Sequence, residues 1–90
     1  MITDRQEVLR LMAEGGELVR DLHYGPKSVS SAVWLRHQPG QDMLSERIHA
    51  RIFKALQRQC LIEIAREHDY VSFRSESYRL TEKGREEAQR

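Results

Sequence analysis

Hydrophobic and polar residues recur along this 90-residue chain in two different periods, and the period changes several times. The first segment has the three-to-four-residue period of an amphipathic helix, carried by Val8, Leu9 and Met12. Thr3 and Gln6 have the spacing of a capping box, which predicts the start of this helix, and the Gly15-Gly16 pair predicts its end. The chain is therefore expected to begin with a short helix.

From residue 17 the period changes to two, which is the spacing of side chains on one face of a β-strand. Alternate positions would share a face in each of two segments, with Leu18, Arg20, Leu22 and Tyr24 in the first and Val29, Ser31, Val33 and Leu35 in the second. The turn-forming run Gly25-Pro26-Lys27-Ser28 separates the two segments, and Pro39-Gly40 follows the second. The two segments predict an antiparallel hairpin.

A second helix is predicted over residues 45–59, because Ser45 can cap it and apolar residues then return to helical spacing. Those apolar residues are Ile48, Ile52, Phe53, Leu56 and Leu61. Two strand-like segments, 61–65 and 77–81, flank the polar stretch 66–77, which predicts a second hairpin with a broad tip. Thr81 can cap a final helix over residues 82–90.

The predicted order is helix, hairpin, helix, hairpin, helix, within one α+β domain over residues 1–90. A helix followed at once by a two-stranded wing is typical of winged helix-turn-helix domains, so we expect a winged helix with an extra N-terminal β-hairpin. A standard winged helix has one more helix before the recognition helix. Only residues 38–44 could supply it, and Pro39 and Gly40 limit that segment to one turn.

Composition narrows the class of protein. Hydrophobic residues make up 39% of the chain and charged residues 32%, without a long apolar run, so we expect a soluble protein with no membrane span. The first residues lack the pattern of a secretory signal, which favours the cytoplasm. Cys60 is the only cysteine, so no internal disulfide bond can form, and its neighbours Leu61 and Ile62 favour a buried thiol.

The most informative charge pattern lies in the second predicted helix. Four cations spaced four, three and four residues apart would form one stripe opposite its buried face: Arg47, Arg51, Lys54 and Arg58. No acidic residue occurs from position 47 to position 62, so the helix would project a positive field although the net charge of the chain is only +1. Such a helix can bind phosphates and, through arginine, guanine in the major groove. The alternative is the solvated face of an ordinary amphipathic helix.

The second hairpin adds further candidates. Arg66 and Arg74 lie near Tyr70 and Phe73, a mixture that suits a minor groove and its phosphates, and also suits a protein surface. The predicted nucleic-acid-binding residues are therefore Arg47, Arg51, Lys54, Arg58, Arg66 and Arg74. Trp34 is interpreted as a core residue or a contact between two copies of a homodimer.

Catalytic and metal-binding patterns are missing from the sequence. The four histidines, His23, His37, His49 and His68, do not have the spacing of metal ligands, and one cysteine adds little. The chain has no glycine-rich phosphate loop and no nucleophile elbow. We expect neither an enzyme nor a bound metal or cofactor.

Residues 54–62, which read Lys-Ala-Leu-Gln-Arg-Gln-Cys-Leu-Ile, and the later Leu-Thr-x-x-Gly element at residues 80–84 resemble bacterial winged-helix regulators, including the multiple-antibiotic-resistance repressor type. The resemblance covers the passage from recognition helix to wing. It implies a small bacterial or phage transcriptional regulator that binds duplex DNA.

A second resemblance extends over most of the chain. It rests on Arg5-Gln6-Glu7, Ala13-x-Gly15-Gly16, the early hairpin, Phe53-Lys54-x-Leu56, Leu61-Ile62 and Tyr78-Arg79. These look like a small family of bacterial toxins that inhibit DNA topoisomerase I, which implies a protein target. Two hypotheses therefore stand: a DNA-binding regulator, or a protein-binding toxin or inhibitor on the same scaffold.

Overall fold

A computed structural model describes residues 2–26, 28–37 and 45–90, and it has α+β architecture with three helices and five strands. In chain order these are α1 (Arg5–Ala13), β1 (Glu17–Tyr24), β2 (Val29–Arg36), β3 (Ser45–Arg47), α2 (Ala50–Arg58), β4 (Ile62–Asp69), β5 (Phe73–Leu80) and α3 (Glu82–Ala88). The single turn considered for residues 38–44 lies outside the described residues. The element that directly precedes α2 is a strand.

All five strands form one antiparallel sheet in the order β3-β2-β1-β5-β4. The predicted first hairpin is confirmed, because β1 pairs with β2 from Glu17 opposite Arg36 to Tyr24 opposite Val29. β1 also pairs with β5, which joins the two hairpins edge to edge. This pairing lies between segments far apart in sequence, so local periodicity gave no sign of it.

The three helices pack on one face of the sheet, called here the inner face. Leu18 of β1 lies opposite Leu35 of β2 and Tyr78 of β5, and all three side chains are buried. They meet the apolar stripes of α1 and α2 in one core cluster. The buried members from those helices are Val8, Leu9, Met12, Ile52, Phe53 and Leu56. The other face of the sheet, called the outer face, carries no helix among the described residues.

The start of α1 differs from the predicted capping box. Asp4 is the N-cap, and its carboxylate accepts a hydrogen bond of 3.0 Å from the backbone N–H of Gln6. The Gln6 side chain does not reach back to the cap. It donates to the carbonyl of Glu87 at 2.8 Å and so ties α1 to α3, a contact that no local pattern could indicate.

The second helix begins at Ala50, so its predicted start at Ser45 was wrong. Residues 45–47 instead extend the sheet, with Arg47 opposite Trp34 and Glu46 opposite Leu35. Their backbone groups form hydrogen bonds with β2, and this pairing stabilises the chain more than one additional helical turn would. The cap of α2 is His49, whose Nδ1 accepts a hydrogen bond of 3.1 Å from the Arg51 N–H.

The strands of the second hairpin are longer than predicted, and its unpaired tip is correspondingly shorter. β4 and β5 each have eight residues, so most of the stretch 66–77 that was interpreted as a broad tip is paired strand. A register shift between Ile64 and Arg66 marks an irregularity of the β-bulge type. The strands extend beyond the helices, where both faces of β4 meet solvent, so the polar side chains there show no apolar alternation.

The passage from α2 to β4 holds one correction and one confirmed expectation. Cys60 is exposed rather than buried, and it adopts a left-handed backbone conformation with φ of 59° that ends the helix. Leu61 then turns into the core and is 1% exposed. Thr81 caps α3 as predicted, because its hydroxyl accepts from the Gly84 N–H at 3.0 Å and donates to the Cys60 carbonyl at 2.7 Å.

Glu76 is a buried carboxylate on the inner face, only 3% exposed. It accepts hydrogen bonds from Arg20 at 2.7 Å and from the Tyr78 hydroxyl at 3.0 Å, and it lies 3.3 Å from Arg74. The Arg20 guanidinium also lies 5.1 Å from the centre of the Phe53 ring of α2. This network therefore links β1 and β5 to the underside of α2, and Arg74, which also pairs with Glu67, extends it to β4.

The Tyr78 hydroxyl makes the fold sensitive to alkaline pH. Burial, with the hydrogen bond to Glu76, raises its pKa from 10.0 to about 12. The folded chain then keeps a proton that the unfolded chain loses, so the free energy of unfolding falls as the pH rises between these two values. We expect urea denaturation to show this fall for the wild type and a smaller fall for Tyr78→Phe. Equal falls in both proteins would contradict the assignment.

Candidate nucleic-acid interface

Helix α2 separates apolar and basic side chains onto opposite faces. Ile52, Phe53 and Leu56 are buried against the sheet. Successive residues turn by about 100° around a helix, so Arg51, Lys54 and Arg58 fall within an arc of roughly 60° on the side away from the core. All three are exposed. We call these three residues the basic stripe.

The basic stripe has no neutralising partner among the described residues. None of its three cations forms an ion pair with a described carboxylate, and α2 itself contains no acidic residue. Most other arginines are paired with carboxylates: Arg5, Arg10, Arg20, Arg36, Arg66, Arg74, Arg79 and Arg90. The positive charge expected on this helix is therefore not offset by an ion pair with any described carboxylate.

The N-terminal end of α2 adds to that field. The first turn contains no acidic side chain, and the cap is a histidine nitrogen rather than a carboxylate. The partial positive charge of the helix dipole at this end is therefore not offset by a local anion. The exposed side of α2 therefore combines the positive end of the helix dipole with the three cations of the basic stripe.

Arg47 does not belong to the basic stripe, which corrects its predicted placement. It lies on β3 because α2 begins three residues later. Its register partner is Trp34, and its guanidinium lies 5.7 Å from the centre of the Trp34 ring. The strand register places both side chains on the outer face of the sheet, away from α2.

The two wing arginines are also placed differently from their predicted roles. Arg66 lies 3.1 Å from Glu17, and Arg74 lies 2.7 Å from Glu67. Burial opposes the charge of Arg74, but the carboxylates of Glu67, Glu76 and Asp69 outweigh that effect and raise its pKa. Both cations have carboxylate partners within the chain, although the Arg66 side chain is 60% exposed and shares Glu17 with Arg36.

The wing itself is rich in acidic groups. Strand β4 carries Glu63, Glu67 and Asp69, each of them exposed. Each of these carboxylates is paired with an arginine of β5, Glu63 with Arg79, and Glu67 and Asp69 with Arg74. This edge therefore offers phosphates no excess of positive charge. Of the six predicted nucleic-acid-binding residues, the structure thus brings three together on one surface, and these are the basic stripe.

A row of aromatic rings crosses the far end of the sheet, and the sequence did not predict it. Phe73 stacks on Tyr70 with ring centres 4.3 Å apart and on His23 at 5.3 Å. Exposed apolar side chains surround this end at Tyr24, Val29 and Val71. The row forms because β1 pairs with β5, so His23 of the first hairpin meets the wing aromatics. We call this region the aromatic end.

Other kinds of site find little support in the described residues. No group of three or more His, Cys, Asp or Glu side chains comes together there as a metal site would require. Within the same ranges, every helix is too short or too polar to cross a membrane. Comparison of the chain with models of protein families, with curated proteins and with solved structures finds no match.

Proposed function

We propose that this protein binds duplex DNA through α2, as a cytoplasmic, non-catalytic winged-helix protein of the bacterial or phage regulator type. The observation that carries the proposal is the basic stripe, which is exposed, has no described carboxylate partner and lies opposite the buried face of the helix. A helix followed directly by the β4–β5 hairpin supports the winged-helix interpretation. The pairing of β1 with β5 supports it further, because it holds that hairpin against the rest of the sheet.

The dimensions of α2 suit the major groove. The basic stripe spans eight residues, or roughly 10 Å along the helix axis, and an α-helix fits a groove about 12 Å wide. Arginine and lysine side chains are long enough to reach phosphates on the rim of the groove. Arg51 or Arg58 can also pair with the O6 and N7 atoms of guanine. The contact proposed is therefore mainly electrostatic, with limited base reading.

The wing is not part of the proposed contact. Arg66 and Arg74 are paired with carboxylates, and the exposed carboxylates of β4 are paired with arginines in turn, so that edge carries no excess of positive charge. In the described residues β3 also stands where a standard domain has its preceding helix. We therefore expect binding by one helix, with about three phosphate contacts.

Fluorescence anisotropy with a mixed-sequence duplex in a salt series tests this proposal. Three contacts predict that log K falls against log salt with a slope of about −2.7. The variant Arg51→Gln, Lys54→Gln, Arg58→Gln should lose measurable binding. The matched control Arg10→Gln, Lys83→Gln, Arg90→Gln removes as much charge outside α2 and should keep most of the affinity.

The opposite results would contradict the proposal. Equal losses in the two triple variants would indicate a non-specific charge effect, and a folded wild type that does not bind at low salt would exclude duplex DNA. The second hypothesis, a toxin-like inhibitor that binds a nucleic-acid enzyme such as topoisomerase I, is favoured by the aromatic end, since exposed tyrosines are enriched in protein interfaces. Inhibition of supercoil relaxation, without DNA binding, would then replace the DNA proposal.

A further inference from the structure

The outer face of the sheet is partly apolar, and no described helix covers it. Its small and aromatic side chains are Val19, Ser30, Ala32, Trp34, Phe73, Ser75 and Ser77. Val19 is already 2% exposed there, and Trp34 beside it is half-buried. Sheet faces of this kind can pack against another sheet at a separation of about 10 Å.

Most charges on the outer face are paired within the chain. Glu17 lies 3.3 Å from Arg36 and 3.1 Å from Arg66, and Glu63 lies 3.0 Å from Arg79. Two charges are different. Asp21 forms no hydrogen bond or ion pair with any described residue, and Arg47 forms no ion pair with a described carboxylate.

Asp21 is an unusual residue for its position. It lies in the middle of the central strand β1, between Ala32 of β2 and Ser75 of β5, and it is half-buried. Aspartate is disfavoured in strands, and a partly desolvated carboxylate without a partner is costly. A cation from outside the chain would relieve that cost.

We propose that the outer face binds the same face of a second copy of this chain, with a two-fold axis beside Trp34 and with Asp21 of each copy opposite Arg47 of the other. Arg47 and Asp21 lie on either side of β2, on β3 and β1 respectively. A two-fold axis that runs in the interface between them exchanges their positions, so each unpaired charge meets its opposite. Trp34, close to the axis, would pack near its own copy.

The size of the face approaches what a stable dimer buries. Four strands of eight residues cover roughly 500 Å² in projection, at a spacing of about 4.8 Å and a rise of about 3.3 Å per residue. Side-chain relief increases the accessible area further, towards the roughly 800 Å² per partner that stable interfaces bury. Another sheet face is a partner of the right shape to cover this area.

Charge and ring geometry favour a second copy over a nucleic acid on this face. Three carboxylates, Glu17, Asp21 and Glu63, offset four arginines there, so the field is weak. The Phe73 ring is already stacked on neighbouring rings across the sheet, which leaves mainly edges for a nucleobase. This inference does not depend on the DNA-binding proposal.

Sedimentation velocity over a concentration series tests the interface. We expect the wild type to form dimers, and Asp21→Arg or Arg47→Asp alone to weaken dimerisation by about tenfold or more, because like charges then meet twice in the interface. The double variant Asp21→Arg, Arg47→Asp restores the pairs and should recover dimerisation. The matched control Lys83→Glu reverses a charge on α3 and should dimerise as the wild type does.

Three results would overturn the proposal: a wild type that stays monomeric at the highest concentration, single variants that dimerise as the wild type does, or a folded double variant that fails to recover. Trp34→Ser keeps the test informative if a charge variant does not fold. It should weaken dimerisation strongly while the circular dichroism spectrum remains that of the wild type. Unchanged dimerisation in Trp34→Ser would place the interface elsewhere.

Discussion

Replacing Gly84 with alanine should lower the free energy of unfolding by about 3 kcal/mol. A Cβ atom at this position of α3 would clash with the carbonyl oxygen of Leu61 and would lie 3.1 Å from a methyl group of Leu80. The first of these is a backbone atom, held in place by a 3.0 Å hydrogen bond from the Thr81 N–H. It cannot move without displacing the start of β4. Urea denaturation followed by circular dichroism gives the measurement.

The sign of this effect distinguishes close packing from helix propensity. In an open helix, glycine to alanine would stabilise by about 1 kcal/mol, because alanine restricts the unfolded backbone. The neighbouring exposed residue offers a matched control, and Lys83→Ala should change the free energy by no more than about 0.5 kcal/mol. A Gly84→Ala variant as stable as the wild type would show that α3 does not approach Leu61 so closely.

Glu76→Gln should be the second costly substitution, with a loss of about 3 kcal/mol in the free energy of unfolding. Arg20 has this carboxylate as its described ion-pair partner and is otherwise packed near the Phe53 ring. The neutral amide leaves the guanidinium partly buried without a counter-charge. Because the network also contacts Arg74 and Tyr78, the loss should exceed that of a single surface pair.

An exposed pair in the same hairpin provides the comparison. Glu63 lies 3.0 Å from Arg79, and both side chains are about half exposed or more. Glu63→Gln makes the same chemical change in water, so the cost should be below about 1 kcal/mol. Similar losses for Glu76→Gln and Glu63→Gln would mean that burial contributes little to the network.

The sequence predicted the fold well where a long segment kept one period. Eight-residue alternation identified β1 and β2, and their faces agree with the register in which Leu18 lies opposite Leu35. Short segments failed for a physical reason. Residues 45–47 fit the start of a helix as well as a strand, and the deciding interaction is their pairing with β2, which includes Trp34 opposite Arg47. The pairing of β1 with β5 was equally invisible to local patterns.

The candidate site shows the same division between local and long-range information. The grouping of Arg51, Lys54 and Arg58 follows from helical spacing and was predictable. The pairing of Arg66 with Glu17 was not predictable, since Glu17 lies 49 positions earlier in the chain. A cation is available to a ligand only if no carboxylate of the fold reaches it first, and that depends on the tertiary structure.

The placement of all three helices on one side of the sheet determines how the proposed dimer would hold DNA, if α2 binds DNA as proposed. With the outer faces together, the two α2 helices would lie on opposite sides of the pair, and their basic stripes would face away from each other. Such a pair cannot place both helices on adjacent half-sites of one palindromic operator. It would instead hold two separate duplex segments side by side. Ligation of linear DNA in the presence of the protein should then yield joined or circular products, because the protein holds two segments together rather than occupying a single site.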